Sequence, residues 1–475
     1  MRESKRLAPQ KKHSRASAQT KRKYFDDKQQ NDLETGSKRQ KLVYRTKTLT
    51  LKPHSSRSNL PALNRFEPIY SSSSRSRKHK HDWSRSSSIA ESNRKWVFSG
   101  DDFSAYSDRI VFVSYNILGV ENASKHPDLY FKIPPECLEW DRRKELICKE
   151  INRYNADILC FQEVDRFNDL DCLLQNDGFR GLYKARTGEA YDGCAIFWRD
   201  TLFTLLHEEN IEFQNFGLRD NVAQLCVLKM NENQSESDLC MQSLKAKSTP
   251  ARRLVVGNVH VLFNPKRGDI KLGQVRLFLE RAHKLSQEWG GIPVILGGDL
   301  NSLPQSAIYQ FLSQSEVILL DVLVHDRRNI SGQLEHPPQN KYFRSPNDNV
   351  KSNNMCISRR SMRVWSDDEL RLATGSRGVT HLRHQLKLFS AYIGVPGTHR
   401  SRDSCGEPLA TSYHSQFMGT VDYIWHTEEL LPVRVLETLP MDILRRSAGL
   451  PNEKLGSDHL ALVCELAFVD DDSRT

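Results

Sequence analysis

Short apolar runs that end in polar residues recur along residues 96–475 of this chain. Runs of this length indicate buried β-strands, whose polar ends deliver side chains to one rim of a sheet. The strands predicted from these runs cover Ile110–Ser114, Asp157–Gln162, Cys194–Trp198, Ala223–Lys229, Arg253–Val261, Pro293–Gly297, Thr420–His426 and His459–Phe468. Carboxylates, amides or histidines mark six of the rims, in the segments VSYNILG, CFQEVD, NVH, VILGGDLNS, GTVDYIW and LGSDHLALV.

Segments with helical periodicity separate these strands. Residues Asp141–Asn155 predict an amphipathic helix with its apolar side chains on one stripe. Asp269–Trp289 predicts a second helix, and Ser306–Ser313 a short third one. Strands that alternate with helices over about 370 residues predict an α/β body with one large core.

The basic charge of the chain belongs to its N-terminal segment. Residues 1–95 contain 25 Lys and Arg against 8 Asp and Glu, whereas the rest of the chain contains 44 basic and 51 acidic residues. This segment is rich in Ser and Gln and has no sustained apolar period, so it cannot bury enough surface to offset its chain entropy. It predicts a disordered basic tail. A polyanion must then be attracted to the body locally, through a basic groove or a bound metal.

Two basic clusters in the tail, Lys21–Lys23 and Lys38–Lys41, resemble the halves of a bipartite nuclear import signal. The alternative is a solvated basic tail that carries no targeting signal. The import interpretation predicts a protein of the nucleus and cytoplasm. No apolar run reaches the roughly 18 residues needed to cross a bilayer, so the sequence predicts no membrane segment.

Two stretches interrupt the alternation of strands and helices. Residues 231–251 are polar and rich in Ser and Lys, and residues 326–366 hold Pro, Asn, Ser and Arg with little period. Both predict mobile surface insertions. The predicted organisation is therefore a tail over residues 1–95 and a single body over residues 96–475 with two insertions.

Together, the six polar clusters supply the groups needed to hold a hard divalent cation, activate water and stabilise a phosphoryl transition state. Taken singly, each has a structural explanation. Asn301 could cap a helix after a Gly-led turn, Glu163 could pair with Arg166, and His260 could be a satisfied core histidine. Their joint occurrence after successive apolar runs favours a shared catalytic site.

The clusters, in this order, resemble those of the endonuclease/exonuclease/phosphatase superfamily of magnesium-dependent phosphodiesterases, over residues 96–470. The segment NVHVLFNPKRGDIKLGQ, residues 258–274, resembles its deadenylase branch, and within it the Angel-like proteins and plant carbon catabolite repressor homologues. The resemblance implies an α/β fold, a four-layer αββα sandwich of two mixed β-sheets. It also implies that residues 96–475 form a metal-dependent nuclease domain.

The resemblance implies a metal site around Glu163, because the glutamate of the family's QEVD motif is the principal magnesium ligand. Asn116 is implied at the same site, orienting Glu163 or the phosphate, and Asp458 as a ligand of this ion or of a second one. The implied cofactor is Mg²⁺, with Mn²⁺ as a substitute. Magnesium prefers oxygen ligands and keeps several waters, so one or two carboxylates plus a substrate phosphate suffice.

Five catalytic residues follow from the same resemblance. Asp299 is implied to orient or deprotonate the attacking water, and Asn301 to fix that water or the phosphate. His260 is implied to donate to a phosphoryl oxygen. His459 is implied to contact the scissile phosphate, with Asp422 holding its ring. A carboxylate behind a histidine fixes its tautomer and favours the imidazolium.

Base recognition is implied at Phe417, which lies five residues before the aspartate of the DYI motif, where the family's deadenylases stack a terminal adenine. Pro265 matches the proline that borders the same pocket. Lys266, Arg267 and Lys271 are candidates for the RNA backbone path. The alternatives are core packing for Phe417 and a solvated helix start for the three basic residues.

These residues predict a Mg²⁺-dependent 3′-to-5′ exoribonuclease that shortens mRNA poly(A) tails, releases 5′-AMP and acts in mRNA turnover. Three alternatives remain: an RNA-end 2′,3′-cyclic phosphatase, a phosphatase of lipids or sugar phosphates, and a non-catalytic RNA-binding scaffold. Yeast-type relatives carry leucine-rich repeats that dock them in a multi-subunit deadenylase complex. This chain has no L-x-x-L-x-L repeat, so the resemblance leaves membership of such a complex open.

Overall fold

The computed structural model describes residues 94–469 apart from residues 105, 233–250, 305, 319–364 and 380. The predicted tail up to residue 93, both import clusters and most of the two predicted insertions therefore lie outside the described residues. Within the described ranges, no helix is both long enough and apolar enough to cross a lipid bilayer.

Two mixed β-sheets form the centre of the body. Their orders are β1-β16-β17-β2-β3-β5-β4 and β12-β15-β9-β8-β7-β6, and two hairpins, β10-β11 and β13-β14, accompany them. The strands are β1 Trp96–Phe98, β2 Arg109–Asn116, β3 Ile158–Gln162, β4 Phe179–Ala185, β5 Gly193–Arg199, β6 Phe203–Glu212, β7 Val222–Met230, β8 Arg253–His260, β9 Val294–Asp299, β10 Glu316–Ile318, β11 His381–Arg383, β12 Phe389–Ser390, β13 Ser412–His414, β14 Phe417–Gly419, β15 Asp422–His426, β16 Leu430–Leu436 and β17 Leu462–Phe468.

Helices cover the outer faces of these sheets and the rim of the sandwich. They are α1 Val120–Lys125, α2 Pro127–Tyr130, α3 Pro135–Leu138, α4 Trp140–Tyr154, α5 Phe167–Asn176, α6 Gly268–Glu288, α7 Ala307–Gln314, α8 Asp367–Thr374 and α9 Met441–Leu444, with a 3₁₀ turn at Phe213–Phe216. The three helices predicted from periodicity correspond to α4, α6 and α7, with each end displaced by one residue.

Three apolar cores hold four layers together. Between the sheets, side chains such as Phe112 and Cys160 of the first sheet pack with Val256 and Ile295 of the second. Helices α4 and α5 pack on the outer face of the first sheet, and α6 and α7 on the outer face of the second. The four-layer αββα sandwich of two mixed sheets implied by the sequence motifs is therefore confirmed.

Each sheet contains one pair of parallel strands, β2 with β3 and β8 with β9. Parallel strands end at the same edge of a sheet. In the GGD segment, a Cβ on Gly297 would lie 3.0 Å from the Phe112 ring of the facing sheet, and one on Gly298 only 2.3 Å from the carbonyl oxygen of Val259. The paired glycines thus allow the backbones to approach closely where the second parallel pair ends.

Several elements were not predicted from the sequence, namely helix α5 and strands β4, β6 and β16 among others. Strand β6 lies at the edge of its sheet and buries only Phe203 and Ile211 among mostly polar residues that are exposed or half-buried, so it contains no long apolar run. The predicted strand Thr420–His426 begins at Asp422, and the predicted strand His459–Phe468 begins at Leu462. His459 therefore lies in a loop.

Residues next to the predicted boundaries at 95 and 366 are anchored in the body. Arg94 is anchored in the body, where its guanidinium donates to the carbonyl oxygen of Ala461 at 2.6 Å and forms an ion pair with Glu150. Trp365 is 5% exposed within a core cluster, and Ser366 caps helix α8. Both boundaries lie in polar sequence, where a single buried anchor leaves no periodic signal.

A fully buried cation joins helix α4 to the two loops beneath it. The guanidinium of Arg143 donates to the carbonyl oxygens of Ile117 at 2.9 Å, Leu118 at 2.8 Å, Leu138 at 3.1 Å and Gly456 at 3.2 Å. Because these carbonyl groups belong to the segments after β2 and before β17, Arg143 fixes both segments relative to each other.

Replacing Arg143 by Met should lower the free energy of unfolding by about 3–5 kcal/mol, because it leaves several buried carbonyl oxygens without a donor. Urea denaturation followed by circular dichroism measures the change. Arg142→Met provides the matched control, because Arg142 is exposed on the same helix and Met has a similar helix propensity. Equal stability of the two variants would contradict the structural role of Arg143.

Candidate active site

The polar ends of five strands meet at one edge of the sandwich. Asn116 is the last residue of β2, and Glu163 directly follows β3. His260 and Asp299 end β8 and β9 and are register partners across that parallel pair. Asp422 begins β15 and is the antiparallel register partner of Asp299. Strand pairing alone therefore gathers side chains that are far apart in the sequence.

Asn116 connects the two sheets through its side-chain amide. Its nitrogen donates to Oε1 of Glu163 at 3.0 Å and to Oδ2 of Asp299 at 3.1 Å. Its oxygen accepts from the backbone N–H of Leu118 at 3.0 Å, which fixes the orientation of the amide. Asn116 thus orients Glu163 and Asp299 through its nitrogen, and its oxygen is already engaged. This geometry gives it a positioning role beside the predicted metal site.

Glu163 is held by three donors. Besides Asn116, its carboxylate accepts from the backbone N–H of Gly119 at 3.1 Å and from Nδ2 of Asn122 at 2.9 Å. Burial opposes its charge, but His260 and the amides of Asn116 and Asn122 outweigh that effect and lower the pKa of Glu163 to about 2. The residue has a left-handed φ of 58°, rare for a side chain other than Gly or Asn.

The structure excludes the simplest alternative for Glu163. Arg166 lies 3.6 Å from a carboxylate oxygen of Glu121 and 3.7 Å from one of Asp165, so its charge is directed to those two residues. Glu163 is therefore an ionised carboxylate with neutral N–H donors around it. Such a carboxylate retains its negative charge for a cation.

His459 and Asp422 form a buried pair opposite Glu163. Nδ1 of His459 lies 2.8 Å from Oδ2 of Asp422, and Nε2 lies 3.9 Å from Oδ2 of Asp299. Burial favours the neutral imidazole, but the negative charges of Asp422, Asp458 and Asp299 outweigh it and raise the pKa of His459 well above its usual range. The ring is thus positioned as an imidazolium with Nε2 directed into the site.

Asp299 occupies the centre of the cluster. Its Oδ1 accepts from the backbone N–H of Asn301 at 2.8 Å, and its Oδ2 lies 3.6 Å from Nε2 of His260. Burial and the nearby charge of Asp422 raise the pKa of Asp299 above its ordinary value. A raised carboxylate pKa suits a group that accepts a proton from water.

Asn301 and His260 lie side by side next to Asp299. The side-chain nitrogen of Asn301 donates to the carbonyl oxygen of Val261 at 2.9 Å and lies 3.2 Å from Nε2 of His260. Asn301 has a left-handed φ of 48°, which a short amide side chain tolerates well. The two side chains form one wall of the site.

Lys271 lies beneath this wall, which corrects its predicted position on the RNA path. The side chain is fully buried and its Nζ donates to the carbonyl oxygen of Asn301 at 2.7 Å. Burial lowers the pKa of Lys271 to about 7, with Asp299 opposing the shift. A lysine at this depth cannot contact an RNA backbone. It supports the loop that carries Asn301.

Asp458 lies on the other side of His459. Its Oδ2 accepts from the hydroxyl of Tyr130 at 2.8 Å. Ser457 donates its hydroxyl to the carbonyl oxygen of Asn116 at 2.7 Å, so the loop before β17 is bonded directly to the end of β2. Tyr130, which sequence reasoning missed, thus orients the carboxylate implied as a metal ligand.

Four carboxylates surround this edge, and their donor set fits a divalent cation. Oδ1 of Asp422 and Oδ1 of Asp458 are buried and have no hydrogen-bond partner among the described residues. Ligand atoms of Asp299, Asp422 and His459 lie within 4.8 Å of one another. The carboxylates of Glu163, Asp422 and Asp458 thus offer oxygen donors at this edge, and Asp422 retains its Oδ1 beside the bond from its Oδ2 to His459. Oxygen donors of this kind suit a hard cation.

The predicted base-binding residue Phe417 lies on the hairpin β13–β14. Its half-buried ring packs against His414, with centroids 5.9 Å apart. The hairpin is paired with the catalytic loop, because Ser412 bridges to His459 and the N–H of Tyr413 donates to the carbonyl oxygen of Asp458 at 2.9 Å. Phe417 is therefore on the His459 side of the site.

The remaining predicted substrate residues lie in the turn between β8 and α6. Pro265 is half-buried and Lys266 is exposed. Arg267 forms an ion pair with Asp269 at 2.7 Å, which directs its charge into the start of the helix. Lys266 thus has the exposure that a backbone contact requires, and the charge of Arg267 is directed to Asp269.

Sequence reasoning missed the residues that support the site. Asn122 carried a weak signal, since it follows VSYNILG closely enough to reach Glu163. Tyr130 and Arg143 carried none, because each acts through a contact with Asp458 or Gly456, more than 300 residues away. Lys271 stands between Ile270 and Leu272 in a helix that is buried on almost every side, and only that setting reveals its burial.

Comparison with known proteins agrees with this geometry. The model of the endonuclease/exonuclease/phosphatase family matches residues 113–459. Carbon catabolite repressor protein 4 homolog 5 of Arabidopsis thaliana is 59% identical over 429 residues, which cover 90% of this chain and 92% of that protein. The CCR4-Not complex 3′-5′-exoribonuclease subunit Ccr4 of Phaeosphaeria nodorum is 26% identical over 432 residues, covering 79% of this chain and 62% of that protein.

A solved structure matches the fold as well. The crystal structure of ANGEL2, a 2′,3′-cyclic phosphatase, in complex with adenosine-2′,3′-vanadate is 28% identical, with a TM-score of 0.62 over 79% of this chain and 99% of that one. The family resemblance inferred from the motifs is confirmed. The chain belongs to the endonuclease/exonuclease/phosphatase family, in the branch that contains the carbon catabolite repressor 4 homologues and the Angel proteins.

Proposed function

We propose that this hydrolase is a Mg²⁺-dependent 3′-to-5′ exoribonuclease that shortens poly(A) tails, releases 5′-AMP and acts in mRNA turnover. The observation that carries the proposal is the Asn116 bridge. It holds Glu163 and Asp299 in one hydrogen-bonded group, with Nε2 of His459 at 3.9 Å from Asp299. An ionised carboxylate, a proton acceptor and an imidazolium are thus directed at one position, as phosphodiester hydrolysis requires.

The residues of this chain divide the chemistry between them. Asp299, whose pKa is raised by burial and by Asp422, accepts a proton from the attacking water. The water oxygen forms a bond to phosphorus, the bond from phosphorus to the 3′ oxygen of the preceding nucleotide breaks, and this oxygen takes up a proton to become the new 3′ hydroxyl. The terminal nucleotide leaves with its 5′ phosphate. His459 and His260 donate hydrogen bonds to phosphoryl oxygens, where negative charge builds up in the transition state.

A divalent cation at Glu163 and Asp458 would supply further neutralisation of the phosphate charge. Mg²⁺ is proposed because the available donors are carboxylate oxygens, and Mn²⁺ tolerates the same ligands. The chain's own contribution is to hold these carboxylates in a fixed orientation. Asn122 and Gly119 do so for Glu163, and Tyr130 for Asp458.

Preference for adenine is proposed to rest on Phe417. Its half-buried ring lies on a hairpin bonded to the catalytic loop, so a terminal base stacked there would bring its phosphate toward His459. Stacking of a base on an aromatic side chain contributes about 1–3 kcal/mol. The similarity to the fungal Ccr4 relative, a 3′-5′-exoribonuclease subunit, supports the reaction proposed here.

The second candidate function is removal of a 2′,3′-cyclic phosphate from RNA ends. The similarity to ANGEL2, which is 28% identical with a TM-score of 0.62, favours it. Both reactions add water to a phosphodiester held at the 3′ end of an RNA. They differ in whether the phosphate links two nucleotides or bridges the two hydroxyls of one ribose.

A substrate comparison should separate the two candidates. The full chain is incubated with 5′-labelled RNA that ends in an adenosine run, in mixed sequence, or in a 2′,3′-cyclic phosphate, with Mg²⁺ or with EDTA. The exonuclease proposal predicts a ladder of shortened products from the adenylated RNA, which is abolished by EDTA because Glu163 and Asp458 then hold no cation. Opening of the cyclic phosphate without any ladder would replace the proposal by the second candidate.

Asp299→Ala and His459→Ala should each lower kcat by roughly 10²–10⁴-fold, the range associated with positioned acid–base groups. The folded state should persist, as judged by circular dichroism. The control variants are Asp177→Ala and His207→Ala. They remove an exposed aspartate and an exposed histidine that are distant in sequence from Asp299 and His459. Deadenylation by Asp299→Ala at the rate of the control variants would refute the assignment.

The pH dependence of kcat should depend on Asp422. His459 acts in its protonated form, which is present below its raised pKa and lost as pH rises through that value. Asp422→Asn removes the largest favourable charge and should therefore move the alkaline decline of kcat to lower pH. Measurements of kcat from about pH 5 to about pH 10 test whether the decline moves. An unshifted profile with a uniformly lower rate would show that Asp422 does not tune His459.

A further inference from the structure

An exposed aromatic ring and a lysine stand next to Glu163, outside the catalytic cluster. Tyr191 exposes 63% of its surface, and Nζ of Lys125 lies 4.6 Å from the centre of its ring. Lys125 is itself exposed, at the end of helix α1. None of the ion pairs among the described residues engages Lys125, so its positive charge is directed to Tyr191 and to solvent.

The order of strands fixes where this pair lies. At the catalytic edge of the first sheet, the loop with His459 precedes β17, Asn116 ends β2, Glu163 follows β3, and Tyr191 precedes β5. These four strands are neighbours in that order. Tyr191 therefore lies beyond Glu163, whereas the Phe417 hairpin is bonded to the His459 loop on the opposite side.

Each member of the pair lies within three residues of a group that contacts Glu163 or its neighbour Val164. Helix α1 covers the Glu163 carboxylate with Asn122, one turn before Lys125. The carbonyl oxygen of Gly193, two residues after Tyr191, accepts from the N–H of Val164 at 3.0 Å. The pair is thus part of the rim of the active site.

The loop that presents Tyr191 is held at its base. The N–H of Arg186 donates to the carbonyl oxygen of Asp192 at 3.0 Å, and their side chains form an ion pair at 3.3 Å. The N–H of Thr187 donates to the carbonyl oxygen of Asp220, also at 3.0 Å. A ring held in this way loses little conformational entropy when a ligand stacks on it.

The chemistry of the pair matches single-stranded nucleic acid. Aromatic side chains stack on bases of any sequence, and an adjacent lysine neutralises a phosphate. Three strand spacings of roughly 4.8 Å separate β17 from β5, or about 14 Å. A phosphodiester attacked between Glu163 and His459 would therefore have the terminal base on the Phe417 side and the rest of the RNA on the Tyr191 side.

We propose that Tyr191 and Lys125 form a binding subsite for the substrate RNA on the 5′ side of the scissile bond. Tyr191 stacks on a base, and Lys125 contacts a neighbouring phosphate. The inference rests on the proposed exoribonuclease function for the direction of the RNA. The ligand class, single-stranded RNA, follows from the exposed ring, the unpaired charge and the position on the rim.

A matched pair elsewhere on the surface provides the control. Phe98 exposes 59% of its surface and has the Arg434 guanidinium 5.5 Å from its ring centre. It lies on β1, the strand at the edge of the first sheet, separated from β2 by β16 and β17. Tyr191→Ala and Phe98→Ala thus each remove an exposed aromatic ring beside a cation, but only Tyr191 borders the active site.

The test compares wild type, Tyr191→Ala, Tyr191→Phe, Lys125→Ala and Phe98→Ala on oligoadenylate RNA in Mg²⁺. Tyr191→Ala should raise KM on the order of 10-fold with kcat nearly unchanged, within the range expected for one base stack. Tyr191→Phe should keep the KM of wild type, because stacking on a base needs only the aromatic ring. Lys125→Ala should weaken RNA binding. It should also reduce the slope of log affinity against log salt concentration by about the amount that one phosphate contact contributes. Phe98→Ala should behave as wild type.

The outcomes separate this proposal from the one on which it rests. If wild type shortens the RNA and Tyr191→Ala has an unchanged KM, or if Phe98→Ala loses as much as Tyr191→Ala, the subsite is refuted and the exoribonuclease stands. If wild type does not shorten the RNA, the exoribonuclease is refuted. Fluorescence anisotropy of the same RNA in Mg²⁺ then decides the subsite: tighter binding by wild type than by Tyr191→Ala supports it, and equal or absent binding overturns it.

Discussion

The structure depends on a single side-chain amide that joins two sheets. Asn116 uses both hydrogens of its nitrogen, one for Glu163 in its own sheet and one for Asp299 in the facing sheet. Each carboxylate would be costly to bury without a donor. The bridge therefore stabilises two negative charges and at the same time fixes the distance between the two halves of the site. The apolar core packs the two sheets together, and this contact fixes the catalytic geometry at their shared edge.

The site is built from two similar halves. Each sheet contributes one parallel strand pair, β2 with β3 and β8 with β9, and each pair ends in polar residues at the shared edge. Each is flanked by an antiparallel strand, β17 or β15, which brings His459 or Asp422 to the same place from the opposite chain direction. The His459–Asp422 hydrogen bond then closes the site across the sheets, as Asn116 does on the other side.

The sequence was informative wherever local pattern determines structure. Continuous apolar runs located the central strands, and their polar ends located Glu163 and Asp299, because strand pairing converts those ends into one rim. It was uninformative where the deciding contact is remote. The edge strand β6 is half polar, and the burial of Lys271 follows from its contact with the carbonyl of Asn301 on another element. The αββα order of the four layers was predicted from the family resemblance. Periodicity shows that a strand is buried but does not show which element covers it.

The position of the last strand has a consequence for how the protein is made. Strand β17 is inserted between β16 and β2, in the middle of the first sheet, and the loop just before it carries His459. Chains grow from the N-terminus, and domains generally fold as units during synthesis. The ribosome must therefore deliver residues up to Phe468 before the first sheet can close, and the nascent chain has no histidine–aspartate pair until His459 has been added. A truncated translation product without β17 therefore lacks the assembled site.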